Sequence, residues 1–399
     1  MTGLSWWGYA AVFATTTAVA VFLTPLALRL ALRWEILDRP SEIKAQASPV
    51  PYLGGAAIVV AFALVIGVAA AVRPPVSGLE DLWIILGMAV GLSLVGLADD
   101  IRGLGPWIRL AVEGAAGAGV LATGTHILVF RSGPLDDLIT IVWVVGVTNA
   151  FNILDNMDGL SAGVTAVSSM SLFIVAYLNG QFLVAVMSLA LVGCAAGFLR
   201  HNFHPARIYM GDAGSLFLGF LLAVLCMRLR TNPSTRITIF VPILILGVAL
   251  FDTALVTIAR LLHRRSPLSG GRDHTSHRLV FVGVPVPVAV SLIYAVAAGL
   301  GWLSIVVARI DRTSMLVLVG LVGAVALFVG TLLGMVPVYE TSRRRRFVLQ
   351  EVRRHEVEPV VPPGHSGQRS EADQVPDDRE DESGVTAMRL DGGTAASRL

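Results

Sequence analysis

Long apolar segments recur along most of the chain, and they constrain its fold more than any other feature. Each is close to the ~20 apolar residues that a helix needs to cross a bilayer. Charged residues make up 15% of the sequence, whereas soluble domains carry about 25%. The pattern predicts an all-α polytopic membrane protein with about eleven transmembrane helices. The predicted spans cover residues 5–32, 52–72, 82–98, 108–130, 137–154, 161–179, 182–200, 214–229, 237–259, 284–308 and 314–338.

The loops between these spans alternate between two sides of the membrane, and the two sets differ in positive charge. Near the spans, the first set carries Arg33, Arg39, Lys44, Arg102, Arg207, Arg260, Arg264, Arg265, Arg272, Arg278 and Arg343 to Arg346. The second set carries Arg73, Arg131, Arg230, Arg236, Arg309 and Arg312. By the positive-inside rule, the first set is cytoplasmic and the amino terminus is external. The predicted location is the inner (plasma) membrane.

The end of the chain differs from the rest, because residues 341–399 lack apolar periodicity and are rich in Pro, Gly and acidic residues. This composition predicts a disordered cytoplasmic tail after a transmembrane catalytic domain at 1–340. Cys194 and Cys226 lie within apolar segments, which indicates small buried hydrophobic side chains rather than a disulfide. The net charge of +2 gives no indication of nucleic-acid binding, and no nucleic acid is predicted as a partner.

Four polar residues, Asn149, Asn152, Asp155 and Asp158, recur at a three-residue step where one apolar segment ends. On a helix, that step keeps the four side chains on one side. Carboxylates at the mouth of a hydrophobic segment are costly unless they are paired, hydrated or bound to a cation. An ordinary polar loop between two spans is the simpler interpretation of this stretch. The residues of the other cytoplasmic loops are needed to distinguish such a loop from a functional site.

Two earlier cytoplasmic loops also hold unusual residues. The run Pro51-Tyr-Leu-Gly-Gly55 predicts either a shaped loop where backbone approaches a ligand or a stiff connector. Asp99 and Asp100 are adjacent at the end of the third span. Such a pair repels itself unless a cation or a raised pKa relieves the repulsion, although a solvated acid pair explains it equally well.

The two later cytoplasmic loops add an acid and two histidines. Asp212 lies just before the eighth span, where it either caps the helix or helps to bind a ligand at the helix terminus. Arginines interleaved with His274 and His277 predict a phosphate-binding surface, since membrane anchoring explains the arginines but not the histidines. Asp252 lies within the ninth span, and we expect it to pair with a basic group such as Arg260.

The cytoplasmic loops together supply carboxylates, phosphate-binding cations and glycine turns, without a cysteine cluster. Hard oxygen ligands beside phosphate groups favour Mg²⁺, with Mn²⁺ as the alternative, over zinc. A membrane enzyme with such a face would move a phosphoryl group between a soluble nucleotide and a lipid. The competing class is a transporter of an anionic solute, but transporter sites usually lie near the bilayer midplane.

Five motifs, in this order, resemble those of the polyprenyl-phosphate N-acetylhexosamine-1-phosphate transferases, and the resemblance covers about residues 33 to 280. The motifs are Pro51-Tyr-Leu-Gly-Gly55, Ala98-Asp-Asp100, Asn149-Ala-Phe-Asn-Ile-Leu-Asp-Asn-Met-Asp-Gly-Leu160, Met210-Gly-Asp-Ala-Gly-Ser215 and Arg272-Asp-His-Thr-Ser-His-Arg-Leu279. The resemblance implies transfer of N-acetylglucosamine-1-phosphate from UDP-N-acetylglucosamine to undecaprenyl or decaprenyl phosphate, with release of UMP. This is the first membrane step of cell-wall polysaccharide or linker-unit synthesis.

The resemblance also implies roles for individual residues of this chain. The implied catalytic residues are Asp99, Asp100, His274 and His277. The implied substrate-binding residues are Lys44, Asn152, Asp155, Asp158, Asn202, Tyr209 and Arg272. The implied Mg²⁺ ligands are Asp212, Asp100 and Asp155. The implied partners are a UDP-N-acetylhexosamine and a polyprenyl phosphate, and the oligomeric state stays open, with a homodimer as one option.

The sequence departs from the family pattern at several points. The peptidoglycan branch, the phospho-N-acetylmuramoyl-pentapeptide transferases, has three consecutive histidines where this chain has His274-Thr-Ser-His277. This difference favours the N-acetylglucosamine branch and leaves the peptidoglycan enzyme as the alternative. The segment after Lys44 also departs from the family, and Arg109 is the expected basic residue of the fourth span.

Overall fold

The structure is a computed structural model, and it describes residues 5–38, 49–75, 77–130, 133–230 and 239–339. Helices dominate these residues, as the sequence predicts, together with one short antiparallel pair of strands that it did not predict. The elements are α1 (Trp6–Arg33), β1 (Leu37–Asp38), β2 (Val50–Pro51), α2 (Gly54–Val72), α3 (Leu79–Arg102), α4 (Pro106–Ala122), α5 (Gly133–Leu154), α6 (Leu160–Leu178), α7 (Phe182–Asn202), α8 (Gly211–Arg228), α9 (Phe240–Ile245), α10 (Gly247–Leu262), α11 (Thr275–Phe281), α12 (Val286–Val307) and α13 (Arg312–Gly334).

Within the described residues, nine helices are long and apolar enough to cross a membrane, so the protein is a multi-pass membrane protein. The other two predicted spans correspond to α4, which has 17 residues, and to the consecutive helices α9 and α10. The count of eleven spans and the external amino terminus therefore stay predictions. Lys44 and the predicted tail at 341–399 lie outside the described residues.

Helix α8 lies at the centre of the bundle, and its side chains are buried from Ala213 to Cys226. It packs against α2, α3 and α5, and these neighbours carry three of the five motifs. The opposite case is α13, in which Met315 is the only buried residue among those described. An apolar helix with this exposure fits a surface covered by lipid. Three of the motifs therefore collect around α8, whose own start carries the fourth motif.

Small residues allow the neighbouring helices to approach the start of α8 closely. A Cβ atom on Gly55 would lie 2.2 Å from the backbone nitrogen of Gly214, and one on Gly96 would lie 2.4 Å from the carbonyl oxygen of Asp212. No side chain fits at such distances without moving backbone. Contacts between small residues are a usual way for membrane helices to pack, because lipid provides no hydrophobic force to drive helices together.

Backbone hydrogen bonds fix the loop that precedes α8. Strand β1 pairs with β2, and Pro51 of β2 accepts a hydrogen bond from the N–H of Tyr209 at 2.8 Å. The N–H groups of Gly54 and Gly55 donate in turn to the carbonyl oxygens of Tyr209 (3.0 Å) and Met210 (2.9 Å). The Pro51–Gly55 motif is thus a shaped loop, and in the structure it holds the backbone that leads into the fourth motif.

The close approach of α2 to α8 predicts a sharp difference between two glycine-to-alanine substitutions. Gly55→Ala should lower the free energy of unfolding by about 2 kcal/mol, because its new methyl group meets backbone atoms. Gly87→Ala is the matched control, since a Cβ at Gly87 of α3 meets nothing within 4 Å. Thermal unfolding in detergent measures both. An equal melting temperature for the two variants would contradict the packing described.

Candidate active site

The carboxylate of Asp100 connects the end of α3 to the beginning of α8. Its Oδ1 accepts a hydrogen bond from the backbone N–H of Asp212 at 3.0 Å, and its Oδ2 accepts one from Ala213 at 3.2 Å. Gly211 precedes these residues with φ +67°, and a Cβ there would lie 2.4 Å from Asp100 Oδ2. The free N–H groups of a helix start need such acceptors. Asp100 therefore caps α8, which leaves the side chain of Asp212 available for other contacts.

Asp212 points into a group of polar side chains from α3, α4 and α5. Arg109 Nη1 lies 2.5 Å from Asp212 Oδ2 and 2.9 Å from Asp99 Oδ2. Asn152 Nδ2 donates to Asp212 Oδ1 at 2.7 Å. Arg109, the expected basic residue of the fourth span, thus bridges two of the predicted site acids. Four residues from four helices, three of them in separate motifs, meet at the start of α8.

Asp155 and Asp158 lie beyond the end of α5, which stops at Leu154. The predicted helical face therefore holds for Asn149 and Asn152 but is wrong for the two acids, which belong to the loop before α6. Burial raises the pKa of Asp155 to about 8, and the charges of the neighbouring acids Asp212, Asp100 and Asp158 add to the effect. These carboxylates lie close enough to destabilise one another's charge, which is the situation that a bound cation relieves.

Asp158 organises the loop that leads from α7 to α8. Its Oδ2 accepts a hydrogen bond from the backbone N–H of Ala206 at 3.0 Å and lies 2.8 Å from His204 Nδ1. Burial and a hydrogen bond to the Asp158 carboxylate raise the pKa of the Tyr209 hydroxyl. Tyr209 therefore stays protonated, with its hydroxyl directed at an acid of the third motif.

Asn202 joins the same two loops through backbone contacts. It is 2% exposed, its Oδ1 accepts from the N–H of Gly159 at 3.0 Å, and its Nδ2 donates to the carbonyl of Ile208 at 2.9 Å. Both ends of its amide are thus occupied by backbone. In the structure, Asn202 connects the two loops by hydrogen bonds, and its implied contact with substrate stays a prediction.

The histidine segment is fixed by two buried acids, in a pattern that differs from the one expected. Asp252 is 2% exposed and lies 2.9 Å from His274 Nδ1, and it also accepts from the N–H of Thr275 at 2.6 Å. Asp252 pairs with a basic group, as expected, but that group is His274 rather than Arg260. Arg260 instead makes two hydrogen bonds of 2.8 Å to Asp273. Arg260 and His274 were both candidate partners for Asp252, and the sequence alone did not show which of them it contacts.

His277 lies beside His274, with the ring centres 6.0 Å apart. Burial is the main cause that lowers the pKa of His277 to about 4, and the nearby His274 and Arg272 contribute to the same shift. His277 is therefore neutral at pH 7, so it offers a hydrogen-bonding ring rather than a charge. The adjacent Ser276 donates through Oγ to Asn156 Oδ1 at 2.6 Å, which connects the histidine segment to the loop of Asp155 and Asp158.

The oxygen donors at the start of α8 are suited to Mg²⁺. Asp212, Asp100 and Asp155 are hard ligands whose charges interact, and no thiol is among them. Within the described ranges, no three acidic, histidine or cysteine side chains already form a group that could hold a metal. Mg²⁺ does not require one, because it usually binds through one or two carboxylates, substrate phosphates and water. The residues therefore fit the ion, although Arg109 occupies one oxygen of Asp212.

Several residues of the site were missed by the analysis of the sequence. Tyr52 donates its hydroxyl to the backbone oxygen of Asp100, and Asn149 donates to Glu113, a fully buried acid of α4. Glu113 had a visible signal, because an acid in an apolar span four residues after Arg109 is costly without a purpose. The contact between Ser276 and Asn156 had no signal, since no local pattern pairs two uncharged residues 120 positions apart.

Comparison with known proteins agrees with this geometry. The family model described as glycosyl transferase family 4 matches residues 82–230. A probable undecaprenyl-phosphate N-acetylglucosaminyl 1-phosphate transferase of Bacillus subtilis (strain 168) is 31% identical over 296 residues, which are 71% of this chain and 80% of that protein. The chain therefore belongs to glycosyl transferase family 4, and the resemblance seen in the motifs is confirmed.

Two further relatives represent two branches of the family. The decaprenyl-phosphate N-acetylglucosaminephosphotransferase of Mycolicibacterium smegmatis is 29% identical over 314 residues, covering 70% of this chain and 77% of that protein. A phospho-N-acetylmuramoyl-pentapeptide-transferase of Latilactobacillus sakei is 34% identical over 210 residues, covering 47% of this chain and 63% of that protein. The similarity to the first extends over more of both chains.

Two of the acid–histidine pairs of the structure, one buried and one exposed, predict different costs when the acid is neutralised. Asp252→Asn should lower the free energy of unfolding by about 2 kcal/mol, because a buried pair loses its charge. Asp137→Asn is the matched control, since Asp137 and His126 form an exposed pair at 3.0 Å, for which less than about 0.5 kcal/mol is expected. Chemical unfolding in detergent distinguishes them, and equal losses would contradict the assignment of Asp252 to His274.

Proposed function

We propose that this protein transfers N-acetylglucosamine-1-phosphate from UDP-N-acetylglucosamine to a polyprenyl phosphate, undecaprenyl or decaprenyl, and releases UMP. The observation that carries the proposal is the contact of Asp100 with the backbone of Asp212, 112 positions later in the chain. It brings two acidic motifs of the family to one place. Membership of the family and the names of the relatives support the same reaction.

The reaction requires one bond to form and one to break at a single phosphorus atom. An oxygen of the lipid phosphate attacks the phosphorus that carries the sugar, and the bridging oxygen leaves with UMP. Such transfers depend mostly on positioning and on electrostatic stabilisation. In this proposal Asp99 and Asp100 orient the lipid phosphate, with Arg109 close enough to offset its charge. Asn152, Asp155 and Asp158 lie around the nucleotide and its diphosphate, with Tyr209 near the uracil.

Asp212 is the principal ligand that we assign to Mg²⁺, with Asp100 and Asp155 beside it. When bound, the ion would neutralise charge on the diphosphate and on the departing UMP. Asn152 holds Asp212 through Oδ1, so the orientation of this carboxylate is set before any ligand arrives. Preorganised polar groups of this kind lower the cost of reorganisation during the reaction.

The histidine segment contributes a neutral ring and a rigid support. Asp252 holds His274, and the low pKa of His277 keeps its ring uncharged at neutral pH. In the proposal, His277 donates or accepts a hydrogen bond at the diphosphate without adding a competing positive charge. Arg272, half-buried beside it, supplies the positive charge for the phosphate groups.

The proposed setting is the cytoplasmic face of the plasma membrane, where a soluble donor meets a lipid acceptor. The excess of Lys and Arg in the loops that carry the motifs supports this orientation. The competing transporter hypothesis expects polar groups at the middle of broken helices. Here the acids Asp100 and Asp212 lie instead at the last turn of α3 and the first turn of α8.

The peptidoglycan alternative gains no support from the histidine segment. That branch has three consecutive histidines, whereas here Thr275 and Ser276 separate His274 from His277, and the Ser276 hydroxyl is bonded to Asn156. A panel of UDP-sugars, incubated with purified protein and polyprenyl phosphate, should give a lipid-linked N-acetylglucosamine diphosphate by mass spectrometry. A product formed only from the muramoyl-pentapeptide donor would assign the protein to the other branch.

Neutralising either Asp100 or Asp212 should remove the transfer activity. We expect Asp100→Asn and Asp212→Asn to reduce turnover by about 100-fold or more, because each removes a carboxylate that we assign to the Mg²⁺ site. Release of UMP, measured with UDP-N-acetylglucosamine and polyprenyl phosphate, reports the effect. Asp311→Asn is the control, since Asp311 only caps α13. Wild-type turnover in either site variant, with normal folding, would remove the site assignment.

A further inference from the structure

The geometry points to Arg109 as a built-in substitute for the divalent cation, one that moves from Asp212 to Glu113 when the cation binds. The inference rests on the proposed function, because that function is what requires a divalent cation at Asp212. It assigns a role to Glu113 and Asn149, which the transfer reaction described above does not use. The role is to receive the displaced guanidinium.

The first argument is that Arg109 occupies the position of a cation. A single nitrogen, Nη1, bonds to carboxylate oxygens of both Asp99 and Asp212, as a bridging ion would. A divalent ion at Asp212 Oδ2 would lie within a few ångströms of this guanidinium, and two positive charges at such a distance repel strongly. Use of Oδ2 by an ion therefore requires the guanidinium to leave.

The second argument is that an acceptor lies ready on the same helix. Glu113 follows Arg109 by four residues, so both side chains extend from the same face of α4. Glu113 is 0% exposed, and its Oε1 has no hydrogen-bond partner in the structure. A buried carboxylate oxygen without a partner is costly and requires an explanation. The Nε of Arg109 is likewise buried without a partner.

The third argument is that the acceptor is held in place from behind. Asn149 of α5 donates to Glu113 Oε2 and also to the carbonyl oxygen of Val145 at 2.9 Å. These contacts occupy Oε2 of Glu113 and leave Oε1 without a hydrogen-bond partner. Arg109 can then exchange partners by a change of side-chain rotamer, with no movement of α4 itself. The exchange keeps the guanidinium paired in both states.

Three variants of the full-length protein test the exchange by direct Mn²⁺ binding, followed by the loss of the free-ion signal in electron paramagnetic resonance. Arg109→Gln should bind Mn²⁺ about tenfold more tightly than wild type, because no guanidinium has to be displaced. Glu113→Gln should bind it about fivefold more weakly, because the displaced guanidinium loses its acceptor. In the double variant the Glu113→Gln effect should disappear, since there is no guanidinium to receive.

Arg102→Gln provides the matched control, because it removes the same charge from an exposed position at the end of α3. Its Mn²⁺ affinity should equal that of wild type. The inference is overturned if Arg109→Gln leaves the affinity unchanged or weaker, or if Glu113→Gln has the same effect with and without Arg109. It is also overturned if the wild-type protein binds no Mn²⁺. The assay contains neither sugar nucleotide nor lipid, so a wrong assignment of the reaction would leave its result intact.

Discussion

A carboxylate placed at the start of a buried helix is the constraint on which the remaining structure depends. Helix α8 lies in the middle of the bundle, and its first N–H groups need acceptors from outside the helix. Asp100 satisfies two of them from the end of α3. Because this contact fixes α3 against α8, it also determines where Asp99 and Asp212 lie. Glycines at 55, 96 and 211 make the approach sterically feasible.

The site concentrates negative charge at a boundary with apolar surroundings. The fold therefore supplies groups that compensate this charge. Asp212 is balanced by Arg109 and Asn152, whereas Asp158 is balanced by backbone and by the ring of His204. Burial, together with the nearby acids Asp212, Asp100 and Asp158, raises the pKa of Asp155 to about 8. The same carboxylates destabilise one another's charge, and a cation that carries a diphosphate would relieve this cost.

Much of this arrangement could be predicted from the sequence, because long apolar segments and polar loops have strong local signals. The membrane spans, the motifs and the resemblance to the family all followed from residue type and order. The pairing of charged residues did not follow from the sequence. Asp252 contacts His274 and Arg260 contacts Asp273, because the chain turns after α10 and brings residues 273 and 274 back to this helix. The capping of α8 by a residue of α3 and the contact of Ser276 with Asn156 are long-range, and no local pattern encodes them.

The most direct test of the central claim measures whether the acidic loop and the histidine segment meet. The full-length protein carrying Asn156→Cys and Ser276→Cys should be joined by a short thiol-to-thiol crosslinker, because these two side chains are 2.6 Å apart. The pair Asn179→Cys and Ser276→Cys should not be joined, because Asn179 lies at the far end of α6. Mass spectrometry of the digested protein identifies the crosslinked peptides. Modification of Cys at both 156 and 276 without a crosslink would contradict the account.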